Sequence, residues 1–408
     1  MKNIIFVDAS HVSAKAAYDA SLRSGFNAIF IVAPGSYSPD TLHGIPKECF
    51  KYVDTSNYNN ILLVIERDEI KNIVAVFSLT DRAMRNSILV GSHLKVATLD
   101  KSLLFLLQKE VVSNLIPEHS PTTVPFTIGT LNEERICALI DKCGSVVIKP
   151  SETSASIGSF FVKSKKDVMN ISSYIDENFS EKLVRGVWLA QQYVDGEFFS
   201  LEGYTCNGHT VFLGVTYRRR LDNTLTAAYF PGDKYLTDEL ISSAMDAVKA
   251  LVARSGYKNG YFHSEFISNG SMSYLIDANF GRIAGGSISQ LIADSYSTPL
   301  VDIMSHVINL SLFGSSNDEF VFPSKSRESC LGITYGVSED CIFDSVIMPD
   351  SMHSRHVTLS KKGDKLYRTG IDGAGWVGIL VGKEKDVSTE ITHIKIKNSA
   401  GSLLTPVW

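Results

Sequence analysis

Runs of apolar residues separated by polar turns set out an alternating α/β pattern at the start of the chain. Residues 3–8 form an apolar run of strand length, and Ser10–Ser24 has the spacing of a helix that stops at Gly25. Ala28–Val32 is a second strand. Ile61–Ile65 and Ile73–Phe77 are further apolar runs, expected to be strands three and four. This order predicts a doubly wound domain over residues 1–98. Its first turn, Asp8-Ala9-Ser10-His11-Val12-Ser13, lacks the GxGxxG glycines and cannot bring a pyrophosphate against the backbone.

Further along, Val146–Pro150 reads as a buried strand ending in Lys149. A hydroxyl-rich loop follows, then the strand Phe160–Val162 with Lys163 after it. Such a loop offers donors to a polyphosphate, and lysine is a point-charge phosphate binder. Trp188–Gln192 is a strand, Asp195-Gly196 a turn, and Glu197 opens another strand through Glu202. Leu240–Ser255 carries a helical apolar stripe ending at Gly256. The segments around Glu265 and Asp277 are joined by Asn269-Gly270, a two-residue hairpin signal that sets the two acids on neighbouring strands. Two carboxylates so placed are costly without a cation between them, and Mg²⁺ suits that oxygen chemistry, with Asn279 as a neutral third donor. The bland alternative is a pair of acids flanking a surface hairpin.

The order of these motifs resembles the ATP-grasp superfamily in its carboxylate–amine ligase branch. Phe199-Ser200-Leu201-Glu202-Gly203, Gly260-Tyr261-Phe262-His263-Ser264-Glu265 and Ile276-Asp277-Ala278-Asn279 are similar to the L-amino-acid (dipeptide) ligases. The resemblance implies an α/β protein with three parts: the N-terminal doubly wound domain, an ATP-grasp domain over 99–315 with a mobile lid at about 124–190, and a small β-rich region over 316–408. It implies ATP and Mg²⁺, or Mn²⁺ in its place, as cofactors. Lys101, Lys149, Ser156, Gly158, Gln191, Gln192, Val194, Glu197 and Glu202 are its nucleotide positions, with the ribose at Glu197 or Glu202. Glu265, Asp277 and Asn279 are its metal ligands. His263 and Arg282 face substrate and phosphate, and Arg218, Gly285, Gly286 and Ser287 meet substrate.

Three departures from the family pattern stand out. Glutamines replace the usual hinge acids at 191 and 192. Thr153, Ser154 and Ala155 stand where glycines are commoner. Gly281 occupies the usual arginine position, with Arg282 one residue later. The implied reaction joins a carboxylate to an amine with release of ADP and phosphate. Purine or cell-wall precursor synthesis on the same fold, and a nucleotide-binding regulator without turnover, are the alternatives.

Composition adds exclusions. A chain of 408 residues, 44% apolar and 20% charged, accommodates two or three cored domains. Net charge of −5 and no basic tract beyond Arg218-Arg219-Arg220 argue against a nucleic-acid partner. No run is long enough to span a membrane. Six cysteines without metal-ligand spacing read as reduced thiols of a cytoplasmic protein, with small-molecule substrates as partners and a homodimer as a compatible assembly.

Overall fold

The computed structural model describes residues 2–153, 158–221, 224–270, 272–314, 322–323, 327–370 and 375–408. The N-terminal sheet holds five parallel strands, β1 (Lys2–Val7), β2 (Phe26–Val32), β3 (Phe50–Tyr52), β4 (Ile73–Phe77) and β5 (Ala97–Thr98), in the order β3-β2-β1-β4-β5. Both faces are buried. Ile4, Phe6 and Phe77 pack with Ala17 and Ala20 of helix Ala14–Arg23, while Ile5, Val7 and Val76 pack with Ile61 and Val64. That is the doubly wound arrangement expected.

One expected strand is a helix. Ile61–Ile65 lies within Tyr58–Arg67, started by the Asn57 side chain accepting from the Asn59 N–H. A five-residue apolar run is ambiguous in period. Here Ile61, Val64 and Ile65 form the buried helical face, and Leu63 is exposed.

A second sheet, antiparallel, spans residues 123–192. Its strands are β6 (Thr123–Phe126), β7 (Val146–Pro150), β8 (Phe160–Val162) and β9 (Trp188–Gln192), in the order β6-β9-β7-β8. It has its own core around Val146, Ile148, Trp188 and Ile136.

The central sheet has eight strands in the order β14-β13-β10-β11-β12-β15-β19-β17. These are β10 (Glu197–Cys206), β11 (His209–Leu221), β12 (Thr224–Phe230), β13 (Gly260–Ser268), β14 (Ser273–Asp277) and β15 (Cys330–Tyr335), then β17 (Arg355–Thr358) and β19 (Gly378–Lys383), with β16 (Cys341–Ile347) and β18 (Lys365–Leu366) between them in the chain. The C-terminal strands β15, β19 and β17 thus extend the central sheet through β12. β16, β18, β20 (Lys395–Asn398) and β21 (Leu403–Leu404) make a separate four-stranded sheet. Helix Glu384–Glu390 was not foreseen in this stretch.

Helix Asp238–Ser255 starts at Thr237, whose side chain accepts from the Leu240 N–H, and ends at Gly256 in the left-handed region. Ala244, Ala247, Val248 and Leu251 join the core that also buries Phe199, Leu201, Phe262, Phe266 and Leu275. Those sheet residues alternate with the polar ones described next, as strand period requires.

Candidate active site

Register places the chemistry. Glu202 pairs with His263 and Ser200 with Glu265 between β10 and β13; Ser200 pairs with Thr216 between β10 and β11; and Glu265 pairs with Asp277 between β13 and β14. The two acids lie opposite each other as expected, but not through a two-residue turn: Ser268 pairs with Ser273, so the connection runs over 269–272, and a register shift between Glu265 and Phe266 brings Glu265 to Asp277. Period two then gathers Glu202, Thr216, Arg218, His263 and Glu265 on one face of the sheet. Arg218 donates to Glu265 at 2.7 Å and lies 3.1 Å from His263 Nε2, with its guanidinium over the Phe198 ring.

Beneath this pair lies a closed network. Both Glu202 oxygens are 2.9 Å from His263 Nδ1, and Oε1 also accepts from the Ser200 and Thr216 hydroxyls. Glu202 is 1% exposed and His263 2%. Burial works against both charges, yet each partner outweighs it, so the Glu202 carboxyl is lowered and the His263 imidazole raised. A ribose cannot reach oxygens sealed in this way. Of the two acids expected at the ribose, Glu197 is the accessible one, accepting from the Tyr217 hydroxyl at 2.6 Å. His263 likewise lies under the site, not at its surface.

Glu265 is pulled well below the usual carboxylate range: burial opposes this, but Arg218 and His263 prevail. Asp277 is raised, by burial first and by the neighbouring Glu265 charge, against the pull of Lys109 and Lys149. Lys149 points from β7 to the Ile276 carbonyl at 3.3 Å, and burial with the nearby Lys109 charge pushes it down to about 8. β7 buries Val146, Ile148 and Pro150 in its own sheet, so the alternate position, Lys149, faces the acids.

Lys101 is exposed in the turn before helix Leu103–Leu106. The lysine that reaches the acids is Lys109, 3.5 Å from Asp277. Sequence reasoning missed it; the signal was its position eight residues after Lys101, at the start of the next helix.

Arg282 corrects a second expectation. Its Nε and Nη2 bond the two oxygens of Asp81, and Nη1 bonds the Ile283 carbonyl, so the fork expected to meet phosphate or substrate is filled. Gly281 explains the shift. It adopts φ 91°, its N–H bonds the Tyr261 carbonyl at 2.8 Å, and a side chain there would meet Leu103 at 2.5 Å. The glycine continues the pairing with β13, and the arginine after it turns toward the N-terminal domain. Asn279 also has positive φ, 42°, and its carbonyl accepts from the His263 N–H.

The Gln191 amide donates to Thr123, and the Gln192 carbonyl accepts from the Thr122 N–H. Both hinge glutamines are thus tied to Thr122 and Thr123, at the start of β6. Val194 is buried after them. Gly196 is the only residue that fits its turn, since a Cβ would lie 1.6 Å from the Ser268 carbonyl oxygen. Gly158 has φ 80° against Pro150, and Ser156 lies outside the described residues. Gly285 lies beside Arg282 and Gly286 is exposed, but Ser287 is buried against Gly332 of β15.

Among the described residues no three His, Cys, Asp or Glu side chains gather as a metal-binding group. The donor set that fits Mg²⁺ is smaller: two opposed carboxylates and the Asn279 amide, the kind of partial shell that phosphate oxygens complete. Burial first, and then the Glu265 charge, make the ionised Asp277 costly, and a cation between the two acids would relieve that cost.

Residues 144–290 match the family described as ATP-grasp domain. The L-amino acid ligase from Bacillus licheniformis is similar in structure, with a TM-score of 0.75, 15% identity and coverage of 98% of this chain and 99% of that one. Phosphoribosylglycinamide synthetase from Anaerococcus prevotii has a TM-score of 0.69 at 13% identity, over 98% of this chain and 100% of that one. The biotin carboxylase domain of the Hydrogenobacter thermophilus 2-oxoglutarate carboxylase, solved with MgADP, ADP and bicarbonate, has a TM-score of 0.70 at 12% identity, over 99% and 91%. No curated protein matches the chain. The chain shares the fold of these structures over nearly its whole length, and the match to the ATP-grasp domain family lies within it, over 144–290. Among the described residues no helix is long and apolar enough to cross a membrane.

Proposed function

We propose that the protein is an ATP-dependent ligase that joins a carboxylate, of an amino acid or acyl acid, to the amine of an amino acid. The observation that carries this reading is the opposition of Glu265 and Asp277 across β13 and β14, with Lys149 and Lys109 aimed at the same place. The likeness to an L-amino acid ligase over nearly the whole of both chains supports it.

A carboxylate is a poor electrophile because its leaving group would be oxide. Attack of its oxygen on the γ-phosphorus of ATP releases ADP and leaves an acyl phosphate. The amine nitrogen then attacks the acyl carbon, phosphate departs, and the nitrogen loses its proton. Glu265, Asp277 and Asn279 would hold Mg²⁺, which supplies charge neutralisation across the transferring phosphoryl group. Lys149 contributes a second positive charge from the lid side. Arg218, braced on Glu265 and Phe198, is positioned to hold a substrate carboxylate or phosphoryl oxygen with the rest of its fork. Glu197 takes the ribose. The Glu202–His263 pair fixes the floor on which Arg218 and Glu265 stand.

The test is ADP release from ATP and Mg²⁺, screened over pairs of amino acids and small acids, with the acid labelled isotopically in its carboxylate oxygens. The reading requires ADP release that depends on both substrates and transfer of label into phosphate. Nucleotide binding without release for any pair would favour a regulator instead.

A further inference from the structure

The crevice at the carboxyl ends of β1 and β4 holds a polar cluster apart from the acid pair. The chain runs outward from β1 through β2 and β3, then crosses to β4 on the other side of β1. The loops after β1 and β4 part at this reversal, and open parallel sheets bind small ligands at such a place. The first turn lacks the glycines a pyrophosphate needs, which leaves the crevice to another kind of ligand.

Asp8 follows β1 directly and adopts φ 70°, a left-handed backbone that is unfavourable for a residue with a side chain. It is 0% exposed. Its two oxygens accept from Arg82 Nε and Nη2, and Oδ1 also accepts from the Tyr37 hydroxyl at 2.8 Å. Arg82 Nη2 lies 2.7 Å from that hydroxyl, and the Ala9 N–H donates to it at 3.1 Å. Loops after β1, β2 and β4 therefore hold one guanidinium in place. Its side chain is still half exposed. Nη1, with two of the five guanidinium donors, has no hydrogen-bond partner among the described residues.

A sealed carboxylate and a left-handed backbone are both unfavourable in themselves. A surface ion pair needs neither and adds little to stability. Their effect here is to fix the Arg82 fork with its free edge outward. His11 flanks the same tyrosine, its ring centroid 5.1 Å from that of Tyr37 and its Nδ1 3.2 Å from the Thr41 hydroxyl. Burial, and then the Arg82 charge, lower His11, so the ring stays neutral and Arg82 is the cation of the cluster. With Asp8 behind the guanidinium and both its oxygens taken, the open side favours an anion.

The residue before Arg82 joins this cluster to the acid pair. Asp81 is tied to Arg282, and its charge is felt by Asp277. We propose that Arg82 binds the α-carboxylate of the amine substrate, so that the crevice selects an amino acid over a simple amine. The inference rests on the ligase reading above and gives its acceptor a place. The reacting carboxylate is a different group, for which Arg218 is positioned.

The test measures ADP release with the standard L-amino acids and their α-carboxamides as acceptors, at saturating ATP, Mg²⁺ and acid substrate. A carboxamide keeps the amine and the side chain but loses the negative charge. Wild type should favour the amino acid in kcat/KM by about 10- to 100-fold, the size of one charge-assisted contact. Arg82→Met should lose that preference through a raised KM for the amino acid, while the KM values for the carboxamide and for ATP stay put. Arg82→Lys keeps a counter-charge for Asp8 and covers the case in which the methionine variant does not fold. Its ammonium stays on Asp8, so it should lose most of the preference as well. Wild-type preference in either folded variant would overturn the proposal. So would a loss that falls equally on amino acid and carboxamide, the result a purely structural arginine gives. A wild type that ligates both acceptors alike overturns this inference alone. A wild type that releases no ADP with any acceptor overturns the ligase reading, and this inference with it.

Discussion

Arg282 and Asp81, 201 positions apart in the chain, are joined by two hydrogen bonds from the Nε and Nη2 edge of the guanidinium to the two carboxylate oxygens, and this tie links the segment after β14 to the first turn of helix Asp81–Leu94. Arg282 is 8% exposed. Its charge is reinforced by Asp81 against the cost of burial.

A buried pair of this kind is costly to break from one side, because the surviving charge is left without its partner. Arg282→Ala should therefore lose about 3 kcal/mol of stability. Arg282→Lys, which keeps the charge without the fork, should lose about 1–2 kcal/mol. A double-mutant cycle with Asp81→Asn, followed by urea denaturation, should give a coupling of about 1–3 kcal/mol. Additive effects would mean the two side chains do not support each other. If Arg282→Lys abolishes ligation while leaving stability unchanged, the arginine belongs to the reaction and not to the tie.

Glu265→Gln and Asp277→Asn should each lower ADP formation by about 100-fold or more, since each removes half of the charge that holds a cation opposite the phosphates. The folds should survive, and Asp277→Asn should even melt slightly higher without nucleotide, because it removes a charge made costly first by burial and then by Glu265. Rates at saturating Mg²⁺ and thermal melts without it separate the two effects. Turnover at the wild-type rate in either variant would remove the metal assignment.

Lys149 gives a pH signature. Its folded value is lowered to about 8 from 10.5. Between those values the unfolded chain binds more protons than the folded one, so stability contributed by this group rises with pH across that window. Below it the full cost of burying the charge is present. Lys149→Met should therefore stabilise the nucleotide-free protein at neutral pH, with the gain fading as pH climbs through the window. Affinity for ATP should run the other way in wild type, weakening above about pH 8 as the ammonium loses its proton. Calorimetric melts and titrations across that range check both. A flat difference between wild type and variant would mean that Lys149 is not desolvated.

The reach of sequence reading follows from which interactions are local. Strand period and the Asn269-Gly270 turn signal are properties of adjacent residues, and they put Glu265 and Asp277 on neighbouring strands, while the longer connection and the register shift that bring the two face to face are not local signals. Lys149 is legible for the same reason, as the charged end of an otherwise apolar run. The errors involve long-range partners. Nothing near Arg282 in sequence announces Asp81, and nothing near Glu202 announces that Thr216 and His263 will close over it. Lys101 lies in the turn before one short helix and Lys109 opens the next, and which of them reaches the acids is settled by packing rather than by pattern. Ile61–Ile65 failed because five apolar residues fit either period, and only burial of one helical face decides between them.

Glu202 and His263 form the last test, since their pairing separates support of the site from contact with nucleotide. His263 is raised above 6.5, so its contribution to stability is complete below 6.5 and is lost as pH rises through the folded value. Glu202 is held below 4.5, so its contribution is present above 4.5 and is lost as pH falls through its folded value. The pair is strongest between those limits. Inside that window Glu202→Gln should cost about 2–4 kcal/mol, because His263 keeps its burial and loses its counter-charge. His263→Gln should flatten the decline in stability on the alkaline side. Neither change should alter the KM for ATP much, as neither side chain is open to the nucleotide, whereas Glu197→Gln should raise that KM by about tenfold through a lost ribose contact. The kcat of Glu202→Gln should fall, because Arg218 and Glu265 both lean on His263. Denaturation across pH and steady-state kinetics on the three variants check these outcomes together. A raised KM for ATP in Glu202→Gln with unchanged stability would put Glu202 back at the ribose and leave the buried pair without its supporting role.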